Sequence, residues 1–479
     1  MRQGVPFYKD GKPIPGYTFT SKDLRLTWEL LNDEGGPYGS KDTRSPGEWT
    51  ARMGGADNWE FPNDQTAIIK APDIILDLGF FMSDEWESGV MSLQHWAAVG
   101  GEAGYKADPV GNGPWTYVKH SVNQEFLHKR VENHYRRTPE FHERHILLVQ
   151  EAATRMAALL AKEVDIIPLI RNQRQTITAQ GFKTELSTFP SVHQGIGMIY
   201  YRPEAYCPQG GEKTKAGQPC GPSKGYDPND PLRKPEVRLA LNHALDRNSM
   251  NTAFYQGNGF PSVDYFPPWR SDFLDSWAPH PGPNGKTGKA GGYPYNYDVA
   301  KAKQLLAQGG FPNGFNTILN CLRSHNVIPE WPDICEKIKQ DFAAIGVNAE
   351  LEMVNAFGEF RNLAYQRNRG NWMWSASPSL DPVCHAVEFS LIWELGNGYR
   401  EHEDASAFYN KCLVTTTFAA RDKISQDFGT IWVQKAFSIP MFWVTAEVAF
   451  NPAVVAEYKV NMLHMGPVRY HEYTKAVTK

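Results

Sequence analysis

The alternation of apolar and polar positions divides the chain into short helices and strands separated by turn-rich stretches. Leu24, Trp28 and Leu31 recur at i, i+4 and i+7, one face of a helix that Thr20 can cap. Residues 35–64 are rich in Gly, Pro, Asp and Ser and read as loops. Residues 66–69 and 115–118 read as strands, the second preceded by a turn in which a glycine stands on each side of Asn112. The alanine-rich run 152–160 is a strong helix former and feeds into an apolar strand at 164–167. Pro235 opens another helix, with Val237, Leu241, Ala244 and Leu245 on its apolar face, and Asp246 can cap the next. A helix begins at Asp298 and runs through Ala302, Leu305 and Leu306 to Gly309. The stripe Ile334, Ile338, Phe342 and Ile345 stops at Gly346, and residues 347–354 then alternate with period two. Helix, glycine stop and strand in succession define an α/β layered lobe.

At 479 residues the chain exceeds one compact core, so two or more lobes are expected. Forty-nine basic against 53 acidic residues leave a net charge of -4, which gives no support for capture of nucleic acid or anionic lipid. The apolar stretch at 74–82 is broken by Asp77 and falls short of the roughly 20 residues that cross a bilayer. The opening residues, Met1-Arg2-Gln3-Gly4-Val5, have no apolar signal-peptide core, so either the chain is cytosolic or an export signal lies upstream. Six cysteines, Cys207, Cys220, Cys321, Cys335, Cys384 and Cys412, pair by nearest neighbour into three short loops and favour an oxidising compartment. Six separate buried thiols are the alternative, because spacing does not fix connectivity.

Few motifs carry chemistry. Neither a phosphate-binding G-x-x-x-x-G-K-[ST] loop nor an H-E-x-x-H helix occurs. The string Gly221-Pro222-Ser223-Lys224-Gly225 fits G-x-S-x-G, but it sits in a Gly/Pro-rich excursion between Cys207 and Pro235, without the strand-turn-helix frame a nucleophile needs. His142 and His145, if helical, could hold a metal but read as a solvated face, and Glu401, His402, Glu403 and Asp404 read as an acidic loop. Asp73 and Asp77 could serve as a glycosidase pair, a coincidence made common by 53 acids. No metal or cofactor is expected. The cluster Trp372, Met373, Trp374 followed by a Ser/Pro/Asp loop to Pro382 differs from these, because it places flat apolar faces beside hydrogen-bonding groups, as small-molecule clefts require.

The order of these segments resembles the extracytoplasmic solute-binding proteins of ABC importers, in their peptide/nickel class. The resemblance is carried by residues 4–11 with 20–24, the turn 109–115, the helix and strand from Ala153 to Ile166, and residues 297–315. Its most specific part is Val237-Arg238-Leu239-Ala240-Leu241-Asn242-His243-Ala244-Leu245-Asp246-Arg247. It implies an α/β, two-lobed periplasmic-binding-protein-like fold with a ligand cleft between the lobes, divided as 1–110 (the rest of an N-terminal lobe and its small subdomain), 111–196 (first lobe), 197–444 (second lobe) and 445–479 (return to the first lobe). It further implies a monomeric, non-enzymatic periplasmic component that captures a small solute, peptide-like or neutral and sugar-like, and delivers it to permease subunits. Members carry an additional N-terminal stretch with an export signal and an opening strand, so such residues are expected upstream of Met1. By matching position the ligand-binding residues are His193, Gln194, Phe357, Trp374, Ser377 and Asp381. Peptide-binding members place an aspartate three residues after the tryptophan to hold the peptide amino group, whereas this chain has Ser377. A buried ammonium without a carboxylate is costly, so a neutral polar ligand is favoured. Two rivals remain: a secreted carbohydrate-active hydrolase, which needs two convergent carboxylates, and a chaperone-like binding protein.

Overall fold

A computed structural model describes residues 1–32, 56–71, 89–187, 190, 192–201, 225–323, 325, 328–355, 359–360, 363, 369–376, 403–459 and 471–478. In chain order the first part holds β1 (Pro6–Lys9), β2 (Lys12–Thr18), α1 (Ser21–Asn32), β3 (Trp59–Asn63), β4 (Thr66–Ile69), α2 (Leu93–Ala98), α3 (Glu102–Ala107), β5 (Trp115–Ser121), β6 (Glu125–Arg130), β7 (Glu143–Leu147), α4 (Ala152–Leu160), β8 (Ile166–Pro168), α5 (Arg174–Ala179) and β9 (Lys183–Leu186). Then follow β10 (Val192–Ile199), α6 (Pro235–His243), α7 (Arg247–Tyr255), β11 (Phe260–Pro261), α8 (Val299–Gln308), β12 (Asn316–Leu322), α9 (Trp331–Ala343), β13 (Asn348–Val354) and β14 (Trp372–Ala376). The chain ends with α10 (Glu403–Leu413), α11 (Phe418–Lys435), β15 (Ser438–Val444), β16 (Glu447–Phe450), β17 (Val455–Glu457) and β18 (Lys475–Ala476).

Local chemistry sets most of these boundaries. Asp23 in the first turn of α1 accepts from the Thr20 backbone N–H (2.7 Å) and hydroxyl (3.0 Å), so the cap works through Asp23 reaching back to Thr20. Asp246 caps α7 by accepting from Ser249 N–H at 3.0 Å, and Asp298 caps α8 by accepting from Lys301 N–H at 2.8 Å. Gly309 ends α8 in a right-handed conformation, and the left-handed residue is Gly310, at φ 92°. Gly346 takes φ 85° after α9, and a Cβ added at Gly314 would lie 1.9 Å from its carbonyl oxygen. Two backbones therefore touch where the turn before β12 meets the turn before β13.

Two expectations change, and the reading of His142 and His145 as solvated holds, both being exposed. Trp59–Asn63, read as loop, is a strand paired with β4, because Trp59 packs on Trp28 of α1 at 5.2 Å between ring centres. The strand after α4 starts at Ile166, two residues later than expected, since Lys162 turns the chain at φ 60°. His142 and His145 share no helix face: His145 lies on β7, exposed, with its Nε2 against the Glu125 carboxylate of β6. Much of the Cys207 to Pro235 excursion lies outside the described residues, as do Ser223, Asp73, Asp77, Glu401 and His402.

The core of the second lobe is a six-stranded mixed sheet in the order β11-β15-β10-β14-β12-β13. β12 runs parallel to both β13 and β14, while β10 runs antiparallel to β14 and β15. Every residue of β10 and β15 is buried. Leu241, Leu306, Ile334, Ile338 and Phe342 from α6, α8 and α9 pack on this sheet in one cluster. Cys321 on β12 and Cys335 on α9 form the expected disulfide, at a Cα separation of 6.6 Å. Cys412 is also disulfide-bonded, while Cys207, Cys220 and Cys384 lie outside the described residues. The first lobe is built from smaller sheets, β8-β16-β9 and β5-β6-β7, with Leu159, Ile167, Leu169, Ile177 and Ala449 as a compact core of its own.

The chain passes between the β8-β16-β9 sheet and the six-stranded sheet twice, from β9 to β10 and from β15 to β16. The two crossings are bonded to each other: Ser187 N–H donates to the Ala446 carbonyl at 2.9 Å, and Ala446 N–H donates to Ser187 Oγ at 3.0 Å. Among the described residues no helix is long and apolar enough to cross a membrane.

Candidate functional site between the lobes

A cavity of about 1010 Å³ lies between the lobes. Its first-lobe wall is β7 with the residues after it, the α4 to β8 connection and β8, and its second-lobe wall is His325, Asn355 and Glu359. Those three residues follow β12 and β13, so the cavity opens at the carboxyl ends of parallel strands, where side chains from successive loops converge in α/β sheets. The second-lobe wall is braced locally. Arg323 Nε donates to Asn355 Oδ1 at 3.2 Å, Asn355 N–H donates to Glu359 Oε2 at 3.1 Å, and Ile328 N–H donates to His325 Nδ1 at 3.1 Å.

On the opposite wall the Arg144 guanidinium lies over the Trp115 ring, 5.3 Å from its centre. Burial pushes the Arg144 pKa down, with Glu472 and Tyr458 partly opposing. Burial, with the Arg144 charge, also pushes the imidazole of His128 down to about 4. Arg155 Nη1 donates to the carbonyls of Val149 (2.8 Å) and Gln150 (2.7 Å), fixing the chain as it leaves β7.

At the crossings a second group of polar residues is closed to solvent. Arg171, between β8 and α5, donates from Nη1 to both carboxylate oxygens of Glu330, at 3.0 and 3.1 Å, and its backbone N–H bonds Glu330 Oε1 at 3.0 Å. Its Nη2 donates to the Thr445 carbonyl in the crossing, and the guanidinium covers the Tyr255 ring at 5.1 Å. Burial opposes the Arg171 charge, but Glu330, Tyr255 and Glu447 outweigh it and hold the guanidinium above its ordinary value. Neighbouring Arg174 pairs with Glu447 through Nε and Nη2, at 2.5 and 2.8 Å.

The residues expected at the site are dispersed. His193 and Gln194 open β10 beside the end of β15, both fully buried. Gln194 Oε1 accepts from the Tyr255 hydroxyl at 3.1 Å. The His193 ring lies tilted against Trp443, 5.3 Å between ring centres, and folds over Gly195, where an added Cβ would meet it at 2.6 Å. Trp374 packs edge-on against Phe360 at 5.1 Å, inside the sheet's core. None of these three lines the cavity. Phe357, Ser377 and Asp381 lie outside the described residues. Sequence reasoning missed Arg144, His325, Asn355 and the Arg171–Glu330 pair. The first sits among polar neighbours, between Glu143 and His145, and carried no signal that set it apart.

One constellation invites a hydrolytic reading and does not sustain it. His193 Nδ1 lies 3.4 Å from Asp264 Oδ1, and Ser438 Oγ donates to Asp264 Oδ2. The carboxylate thus stands between hydroxyl and imidazole, so the imidazole is not placed to take the serine proton, as a nucleophile requires.

Two lobes joined by two adjacent crossings, with a cavity at the strand ends between them, define a hinged binding protein. The family model for bacterial extracellular solute-binding proteins, family 5 (middle), matches residues 1–388, and the chain belongs to that family. It is 25% identical over 475 residues to heme-binding protein A of Haemophilus influenzae, covering 94% of this chain and 76% of that protein. It is 21% identical over 291 residues to the dipeptide-binding protein of Escherichia coli, covering 60% of this chain and 45% of the relative. Among solved structures, the periplasmic binding protein DppA of Helicobacter pylori in complex with the peptide STSA superposes with a TM-score of 0.76 at 17% identity, covering 98% of this chain and 84% of that one. These relatives are binding proteins, and the hydrolase alternative finds no support among them.

Proposed function

We propose that the chain is the solute-capturing component of an ABC importer, acting outside the cytoplasmic membrane as a monomer without a cofactor. It takes a small solute into the cavity between its lobes and presents the closed form to membrane permease subunits. The observation that carries this reading is the cavity at the carboxyl ends of β12 and β13, facing the first lobe across two hydrogen-bonded crossings. Closure reports occupancy only if the solute binds the closed form better than the open one. We place the lobe division at the two crossings, near the expected boundaries at 196 and 444. By matching family position alone, we assign His193, Gln194, Phe357, Trp374, Ser377 and Asp381 to ligand binding. The names of the relatives support peptides or a porphyrin as ligands, and the replacement of the expected aspartate by Ser377 supports a ligand not held by its ammonium group.

The reading is tested by small-angle scattering and calorimetry with dipeptides, oligopeptides and hemin. A ligand that binds should contract the radius of gyration; tight binding without contraction argues against hinge closure, and binding of no solute argues against the reading as a whole. Stimulation of ATP hydrolysis by reconstituted permease and ATPase subunits of an ABC importer checks the handover.

A further inference from the structure

Arg144 occupies an unusual position for a cation. It lines the cavity, its Nε is buried without a hydrogen-bond partner, and among the described residues no carboxylate stands within ion-pair distance of it. Glu472, whose charge reaches it, is already bonded by Arg136 Nη2 at 2.6 Å. A guanidinium that lies over an indole, 5.3 Å from its ring centre, is restrained by that contact, so part of the conformational cost of presenting its fork is met before a ligand arrives. Leaving such a group partly desolvated and unpaired is costly, and an incoming anion removes that cost.

We propose that Arg144, seated on Trp115, is the anion subsite of the cavity and receives a carboxylate of the transported solute. This rests on the solute-binding reading above and adds the chemical class of the ligand. The cavity also carries Glu143, Glu163, Asp165 and Glu359. Asp165 accepts from Asn451 Nδ2 at 3.4 Å and Glu359 from the Asn355 N–H, so two of the four are engaged with their own wall. A lining of mixed charge fits a solute with one anionic end and a neutral or cationic remainder, and disfavours a polyanion. Arg155 is not a second subsite, because its Nη1 is committed to the Val149 and Gln150 carbonyls.

The test is calorimetry on the full chain with paired probes: alanyl-alanine and its C-terminal amide, the peptide STSA and its amide, and hemin and its dimethyl ester. At least one acid should bind, and its counterpart with that carboxylate made neutral, the amide or ester, should bind about tenfold to a hundredfold more weakly, as expected for loss of a charge-assisted pair. Arg144→Gln should close that gap, leaving acid and neutral form alike, and Arg144→Lys, which keeps the charge but loses the fork, should narrow it. Equal binding of acid and neutral form by the native chain overturns the subsite while leaving solute binding intact, as does a gap that survives in a folded Arg144→Gln. Should Arg144→Gln fail to fold, an unnarrowed gap in Arg144→Lys overturns it instead. Binding of none of the three acids removes the subsite and the solute-binding reading together.

Discussion

The six-stranded sheet of the second lobe and the β5-β6-β7 sheet of the first differ in what they leave open. In the former, β10 and β15 are buried along their whole length and polar residues face inward onto one another, as Gln194 does with Tyr255. In the latter, only Thr116 is buried, Val118, Phe126 and Leu147 are exposed, and Arg144 faces the cavity without an anion among the described residues. A dry, disulfide-tied sheet supplies a fixed platform, whereas a thin sheet with an unsatisfied cation supplies a wall whose best partner is a ligand. Rigidity and recognition are thus divided between the lobes.

The difference is most sharply probed where the lobes meet. Replacing Glu330 by Ala strands the buried Arg171 guanidinium and should destabilise the chain by about 3–5 kcal/mol in urea unfolding. A loss under about 1 kcal/mol would mean that the crossing is wet and not a sealed joint.

Trp374→Ala should cost about 3–5 kcal/mol through the cavity left beside Phe360. It should also weaken solute binding by roughly 1–3 kcal/mol if the ring reaches the cleft in the liganded form. Lost stability with unchanged affinity would confine Trp374 to the platform. Exchanging Cys321 and Cys335 for Ser opens a loop with a sequence separation of 14 and should cost about 3 kcal/mol, read as a lowered melting temperature.

A pH profile separates the regions further. Burial raises the Asp230 carboxyl to about 6 against its hydrogen bonds from Leu232 and Asn371 N–H. The native state therefore binds a proton that the unfolded chain has released, and this group makes stability fall as pH rises from about 4 to about 6. His128 on β6 has the opposite sign: held down to about 4, it makes stability fall as pH drops from about 6.5 towards 4. Thermal melts across pH 4–7 of Asp230→Asn and His128→Gln should each lose one of these slopes. The smallest effect is expected for Phe126→Ala on the exposed face of β6, about 0.5 kcal/mol in the same assay.

Much of the second lobe was legible from residue order. The caps at Asp246 and Asp298, Pro235 at the first position of α6, the stripe of α9 and the glycine stop before β13 are local devices, each satisfied by neighbours within a few residues. The family resemblance was legible for the same reason, since its strongest string is one helix and the cap of the next. The cleft was legible only in part. Asn355 and Glu359 line the cavity on either side of Phe357, which lies outside the described residues, and neither was singled out in advance.

Residue order set most of the helices and strands and their α/β alternation, because hydrogen bonds and apolar periodicity act over a few residues; the strand Trp59–Asn63, held by Trp28, was not among them. Only the tertiary structure decided that Arg171 meets Glu330 across 159 positions, that His193 lies buried beside Asp264, and that Arg144 is left on Trp115 facing a cavity. Whether a charge is paired, buried or left for a ligand depends on groups brought together by chain crossings, and no local pattern encodes the partner it will meet.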